Sequence, residues 1–461
     1  MNEKRDNTMK NIYKNLMMTV AASMLISLPA HAETIFDAMS AAYDTNPTLH
    51  GQRATSGATN EDAALARSGF RPTIAVGANY TDSHSHTVGT PTHDGYAKGY
   101  SGSITQSIFS GGQTYNGVRA ADQTAKADLD NLAAVEQAVL LDASAAYLDV
   151  VRDEAIVKLQ KNNENLLKKQ LDETLARYNV GEVTRTDVAQ SRASYAQAQS
   201  DVVSAEGNLA ISRDYYHRIV GRLPQDVHFP ENLDTLFPTQ ESEAMSYAIK
   251  NNYSLNAAKR ALKAAKYNVK SKEGALLPSV DFTARSGRSK ISTFSGRDPS
   301  TYNTEYTLNM TMPLYTGGAT RANIRKSKYQ REAAKEALRE AERGVVSGVT
   351  ANWALMQASK SNIASIGEQV KASAIALEGT QKEESLGNRT VLDVLNAYQT
   401  LLMSQVSEVK ARHDYYVSGL QLLQSMGKLT AQKLGLNVKY YDAKANYEHT
   451  RGKWLSLSID E

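Results

Sequence analysis

This chain states one design twice, and the second copy runs 206 positions behind the first without a gap. Ala38-Met39-Ser40 recurs as Ala244-Met245-Ser246, Asn46 as Asn252, and Pro72 as Pro278. Phe109-Ser110-Gly111-Gly112 falls on Tyr315-Thr316-Gly317-Gly318. Val180-Gly181 meets Leu386-Gly387, Thr184 meets Thr390, Asp187-Val188 meets Asp393-Val394, and Gly221 meets Gly427. A constant register over roughly 180 residues is the mark of duplication. The two halves must therefore be structural equivalents.

The chain opens on a basic stretch with Lys4, Arg5, Lys10 and Lys14, followed by an apolar run from Met17 to Leu28 and the small residues of Ala30-His31-Ala32. Those three regions, in that order, read as a signal peptide over residues 1–32. The run is too short to span a bilayer as a helix, and nothing downstream reaches the roughly 18 apolar residues that a spanning helix needs. There is no cysteine anywhere, so neither disulfide staples nor a cysteine-linked lipid anchor is available. Stability must come from helix packing, sheet closure or assembly. The formal charge of +3 drops to about +1 without the leader, a balance that gives no support for nucleic-acid binding.

Each half reads as short helices, a strand, a loop, a strand and then very long helices. In the first repeat (33–223) the strands are expected at about 72–85 and 96–109 and the long helices over 112–221. In the second (242–429) they are expected at about 278–290, 302–315 and 318–427. Ile74, Val76, Ala78 and Tyr80 alternate with polar or small residues; Tyr100, Ile104 and Ile108 do the same, with Gln106 interrupting the apolar side. Val280, Phe282 and Ala284 alternate with Ser279, Asp281, Thr283 and Arg285, and Tyr302 to Leu314 alternates most clearly of all. Strands apolar on one face and polar on the other suit a wall between lipid and water, although a soluble sandwich also alternates. The signal peptide favours the wall. Four strands cannot close a membrane barrel, which starts at about eight, and an open sheet edge is not tolerated in lipid. Closure therefore demands several copies of the chain.

From Gly112 to about Asn179 there is no proline and only Gly117 interrupts, which predicts a helix on the order of 100 Å long. The equivalent run from Gly318 carries Gly344, Gly348, Gly367 and Gly379 and is the weaker helix on propensity. Helices of this length belong to coiled coils rather than to globular domains. Pro224, Pro230 and Pro238 mark residues 224–241 as a linker, and residues 430–461 form a tail outside the repeat. Tyr440, Tyr441 and Trp454 suggest that this tail is partly docked.

The layout resembles the TolC family of outer-membrane channel proteins over essentially the whole mature chain. The resemblance rests on the duplicated plan, on the paired Phe109–Gly112 and Tyr315–Gly318 turns, and on the paired hairpins Val180-Gly181-x-x-Thr184-x-x-Asp187-Val188 and Leu386-Gly387-x-x-Thr390-x-x-Asp393-Val394. It implies an α+β membrane protein: a homotrimer with a 12-stranded outer-membrane β-barrel, four strands from each chain, continued by an α-helical coiled-coil barrel across the periplasm. It further implies a passive exit duct for small molecules or proteins, working with a periplasmic adaptor and an inner-membrane transporter. No cofactor or metal is expected, and no glycine loop of the phosphate-cradling type is present.

The resemblance places Gly181 and Gly387 at the periplasmic helix tips, with Val180, Thr184, Leu386 and Thr390 as the adaptor-docking surface. It makes Arg389 a gate residue and Asp393 a lumen-facing carboxylate. A second family carboxylate, one turn on, is Asn396 here, which implies a weaker negative ring and weaker block by multivalent cations. Thr186 and Arg389 would bond between hairpins. Asp187 would face Glu384 where the family has a tyrosine, and two acids there would repel and loosen the latch. Read without the family, Asp187 and Asp393 are carboxylates near helix starts, where charge of that sign is favourable anyway.

His84, His86 and His93, with Asp82 and Asp94, crowd one interstrand segment and read as a solvated extracellular loop rather than a metal site. The 286–301 loop, with Arg288, Lys290 and Arg297, is its counterpart. The remaining histidines form no site with a nucleophile, so an enzyme is not expected. The competing reading is a structural coiled-coil surface protein, an adhesin or fibre, but such a protein would usually gather its strands at one end of the chain.

Overall fold

The computed structural model describes residues 33–86, 88–89, 93–292 and 299–459. The leader read over residues 1–32 lies outside them, as do Thr90, Pro91, Arg297 and the side chains of His93 and Asp94. The first half consists of α1 (Ile35–Thr45), α2 (Pro47–Ser68), β1 (Thr73–Ser85), β2 (His93–Ser110), α3 (Gln113–Asn179) and α4 (Arg185–Val220). The second runs α5 (Glu241–Asn251), α6 (Tyr253–Gly274), β3 (Ser279–Ile291), β4 (Ser300–Thr311), α7 (Ala319–Ser385) and α8 (Val391–Met426). Two short helices, α9 (Ala431–Leu434) and α10 (Ala443–Thr450), close the chain.

Helices α3 and α7 each hold 67 residues, about 100 Å at 1.5 Å per residue. The four internal glycines do not break α7, because α8 packs antiparallel along its lower part and packing outweighs propensity. Both long helices leave the sheet through a double-glycine turn. Gly111 and Gly112 have φ of 62° and 77°, Gly317 and Gly318 of 63° and 88°, a region that side chains with a Cβ avoid. A hydroxyl then serves the first turn of each helix: Ser110 Oγ accepts from the Thr114 amide and Thr316 Oγ1 from the Thr320 amide, both at 3.3 Å.

Each long helix outlasts its neighbours. Along α3, α6 covers the half near the sheet and α4 the half beyond; α8 follows α7 as α4 follows α3. Where the short partners end, a joint forms, and the repeat builds it twice with one asparagine. Asn46 accepts from the Thr48 amide at 2.9 Å, capping α2, while its amide donates to the Ile219 carbonyl at 3.0 Å in the last turn of α4. Asn252 accepts from Leu255 at 3.0 Å and donates to Ser425 at 2.8 Å in the last turn of α8. One side chain thus satisfies an orphan donor of one helix and an orphan acceptor of another. The main core sits at this level, where α1 (Ile35, Met39, Tyr43) and α5 (Ala244, Ala248) meet Leu140, Ala143, Tyr147 and Val150 of α3 and Leu420, Leu423 and Met426 of α8.

The sheet has the order β1-β2-β3-β4, antiparallel throughout. The β2–β3 pairing joins the two halves, with a bulge between Ser107 and Phe109. In register, Ile74, Ile104, Ala284 and Tyr306 form one row of a single face. Asp281, Arg285 and Glu305 lie on the other. Gln106, on the apolar side, directs its amide to the carbonyls of Phe70 and Ser107.

Several boundaries differ from the sequence reading. Strand β2 starts at His93 rather than 96, while β1 and β3 end within a residue of the expected bounds; Asp82, His84, Arg288 and Lys290, also assigned to interstrand loops, thus belong to the strands. Cross-strand pairing extends strands past the point where alternation in the sequence fades. Strand β4 ends at Thr311 rather than 315, just before Pro313, which has no amide to donate to a ladder. The 224–241 segment is not a free linker. Val227, Leu233 and Phe237 are buried, and the Tyr147 hydroxyl holds the segment through the His228 carbonyl at 2.8 Å. The tail docks as well: the Tyr441 amide donates to the Tyr43 hydroxyl at 2.9 Å, and Arg71 lies 4.4 Å over the Trp454 ring.

Replacing Asn252 by Ala should lower stability by about 1–3 kcal/mol, since it removes a cap and leaves a half-buried carbonyl unpaired. Asn46→Ala should cost a similar amount. Thermal unfolding followed by circular dichroism measures both, and unchanged melting would show that water replaces the joint.

Candidate gate, docking tips and open edges

At the tips, α3 and α7 end in the same motif. The Glu182 amide donates to the Arg177 carbonyl and the Asn388 amide to Glu383, each at 2.9 Å, while Gly181 and Gly387 donate to Tyr178 and Glu384 at 3.0 and 2.9 Å. Two backbone bonds of this kind close a helix end around a left-handed residue, and φ is 83° at Gly181 and 79° at Gly387. The glycine before each return helix is therefore dictated by backbone geometry. Beside them, at equivalent positions of the two tips, Val180 and Leu386 are 72% and 76% exposed.

The return helices open with reciprocal caps. Thr184 Oγ1 accepts from the Asp187 amide at 3.3 Å while Asp187 accepts from the Thr184 amide at 2.8 Å; Thr390 and Asp393 repeat the pair at 3.2 and 2.9 Å. Both acids thus have a structural duty whatever else they do. Hydrogen bonds from the Thr390 amide and hydroxyl, with the nearby Arg389, hold the Asp393 carboxyl below the usual carboxylate range. It remains an anion at the tip. Asn396 lies one turn further along α8 and is exposed.

Glu384 and Arg389 are not placed as read from the sequence. Glu384 is buried, and Arg177 Nη1 donates to its carboxylate at 2.5 Å. Arg177 also bonds Glu182 at 3.3 Å. The expected repulsion between Asp187 and Glu384 therefore does not arise within the chain: one acid is neutralised by a guanidinium and the other is turned into a helix cap. Arg389 donates to Glu383 at 2.9 Å on its own hairpin, not to Thr186, which is exposed. Arg177 and Glu383 were missed. Their signal was in the register, since they occupy equivalent positions in the two halves with opposite charge. Below this pair a small apolar cluster joins all four long helices through Leu167, Ala198, Leu377, Val394 and Tyr398.

The second half is less covered than the first. Helix α3 buries side chains along its whole length, whereas α7, of equal length, buries only Ile324, Ser327, Val345, Val349, Met356, Leu377 and Glu384. The reason lies in the connectivity. The turn before α3 packs on α6, so closely that a Cβ on Gly111 would lie 2.2 Å from the Gly274 carbonyl oxygen. The equivalent Gly317 has nothing within 4 Å. Strands β1 and β4 likewise each have one neighbour and one open edge, and every residue of β4 is exposed.

Among the described residues there is no cluster of metal-binding side chains and no helix long and apolar enough to cross a membrane. The family model of the outer membrane efflux protein matches residues 38–221 and again 244–428, one match for each half. The chain is 35% identical over 454 residues to the outer membrane efflux protein BepC of Brucella suis, covering 97% of this chain and 98% of the relative. It is 27% identical over 417 residues to the outer membrane protein TolC of Escherichia coli, covering 88% and 84% of the two chains. The crystal structure of the Campylobacter jejuni CmeC outer membrane channel superposes with a TM-score of 0.77 at 14% identity, covering 93% of this chain and 94% of that one. Duplicated halves, a four-stranded amphipathic sheet and helices of 67 residues leading to paired tips thus converge with these likenesses, and the chain belongs to the outer membrane efflux protein family, as a non-enzymatic channel subunit of the outer membrane.

Proposed function

We propose that three copies of this chain close into one export duct. Their twelve strands form a wall with its apolar face against outer-membrane lipid, and four helices per chain at every level form a tunnel into the periplasm. The observation that carries this reading is the pair of open sheet edges. Two edges on a sheet with one apolar face must be paired by further copies before the sheet can stand in hydrocarbon. The open side of α7 supports the same closure, because α6 covers the equivalent side of α3, and only α2 of a neighbouring copy occupies the matching place in the repeat.

In this reading the halves 33–223 and 242–429 are the two staves of each subunit, with 224–241 and 430–461 packed around their middle. Val180 and Leu386, flanked by Gly181, Thr184, Gly387 and Thr390, dock a periplasmic adaptor that links the duct to an inner-membrane transporter. Three Asp393 carboxylates ring the entrance and draw cations into it, and Asn396 leaves that ring singly charged per chain. The Arg177–Glu384 pair, which bridges the two hairpins, is the latch within each subunit. Cargo passes without energy from the duct itself.

Purified protein should run as a trimer and form pores in planar bilayers, and crosslinking in cells should capture an adaptor through the tips. A soluble protein that gives no conductance would sink the proposal. Asn396→Asp should tighten block by multivalent cations by about ten-fold, through one added carboxylate per chain; unchanged block would remove Asn396 from the lumen. Glu384→Gln should weaken this half-buried pair by roughly 1–3 kcal/mol and raise single-channel conductance. If conductance does not move, the latch lies elsewhere.

A further inference from the structure

The apolar face of the sheet is interrupted at the end remote from the helices. In register, Ala78, Tyr100, Arg288 and Tyr302 form one row, and Tyr80, Lys98, Lys290 and Ser300 form the next. Three cations on two adjacent strands thus share a face with Ile74, Val76, Ile104, Phe282, Leu308 and Met310, among which Gln106, Ser286 and Thr304 bring uncharged polar groups. Lys98 and Lys290 stand directly opposite each other, and Arg288 is two residues along β3, so their side chains converge within about 7–8 Å. Neither row contains a carboxylate. The nearest acid on β1, Asp82, is one row further out and lies 3.9 Å from the His84 ring.

Neutral partners hold the heads of Arg288 and Lys98. The Arg288 guanidinium sits 5.0 Å over the Tyr302 ring and donates to Ser300 Oγ at 3.3 Å, and the Lys98 ammonium lies 5.6 Å over Tyr96. Among the described residues neither Lys98 nor Arg288 has an ion pair, and both are exposed. Lys98, Tyr100, Arg288 and Lys290 border a groove of about 420 Å³. The Tyr80 and Tyr96 rings stack at 6.1 Å beside it.

The height of this cluster says what faces it. From the Val280–Met310 row to the Lys290–Ser300 row is ten residues, about 34 Å along the strand. At the usual tilt near 40° that is about 26 Å along the barrel axis, matching the roughly 25 Å apolar band of such walls. The helices leave from the opposite end of the sheet, so the cluster stands at the headgroup level of the outer leaflet. A cation there is tolerated by a lipid wall, whereas at mid-depth it is not. Aromatic rings beside it are the normal furniture of that level.

We infer that Lys98, Arg288 and Lys290 form a binding site for a phosphate-bearing lipid of the outer leaflet, three sites in each trimer, with the acyl chains lying along the apolar rows beneath. The inference rests on the lipid-facing reading proposed above. It is tested with the purified trimer and fluorescently labelled lipid A, whose headgroup carries phosphates, by anisotropy. The variant with Lys98→Gln, Arg288→Gln and Lys290→Gln should bind on the order of a hundred-fold more weakly, since each basic residue near an anionic lipid contributes about a factor of five. Lys98→Arg with the other two intact should bind normally, and pore conductance should be unchanged in both. Inorganic phosphate at millimolar concentration should fail to displace the lipid. Equal binding by the triple variant overturns the site, and displacement by inorganic phosphate overturns the lipid as its occupant. A Leu308→Trp variant in brominated lipid separates the two levels. If the introduced indole adds no quenchable fluorescence to that of the unsubstituted protein, the lipid-facing reading itself is defeated. Quenching together with undiminished binding by the triple variant would defeat this inference alone.

Discussion

Backbone groups in hydrocarbon have no water to turn to, and that single constraint organises this molecule. The sheet is amphipathic, four strands wide and open on both sides. Everything that makes the chain unusual follows from closing it. The duplication supplies two equivalent hairpins per chain, the β2–β3 pairing fuses them, and the remaining edges wait for other copies. The helices inherit the same arrangement. Helix α6 lies between α3 and α7, so α3 is flanked on both sides within its own chain by α2 and α6, whereas the far side of α7 has to look outside it.

The repeat also explains how charge is distributed at the tips. Equivalent backbone motifs close both hairpins, with glycine, threonine and aspartate at matching positions. The side chains between them diverge, and the divergence is where the interactions cross from one hairpin to the other. Arg177 in one half corresponds to Glu383 in the other, and each is drawn into a different pair. Identical scaffolds with unlike charges give the two hairpins a fixed relation to each other, which a strictly repeated sequence would not specify.

Much of the architecture was legible in the sequence because it depends on periodicity and on special backbone positions. Alternation located the strands, and the double glycines located the starts of the long helices. What escaped depends on neighbours that the sequence does not order in space. The start of β2 at His93, ahead of the expected 96, required β1 beside it. The proline-rich 224–241 segment reads as a linker, and nothing in its sequence says that Tyr147 and the core hold it. The ion pair of Glu384 with Arg177 joins residues 207 apart, one position off the repeat, so the offset itself hid it.

A wall assembled from discontinuous staves leaks wherever two staves fail to meet. In this chain the short helices change over at mid-length, and each changeover brings a helix start against a helix end. Left bare, those ends would gather water around unpaired amides and carbonyls, and hydrated gaps conduct ions. The amides of Asn46 and Asn252 bridge the ends directly. In the proposed duct they would serve as gaskets, so that the tightness of its flank rests on two side chains whose partners are backbone ends.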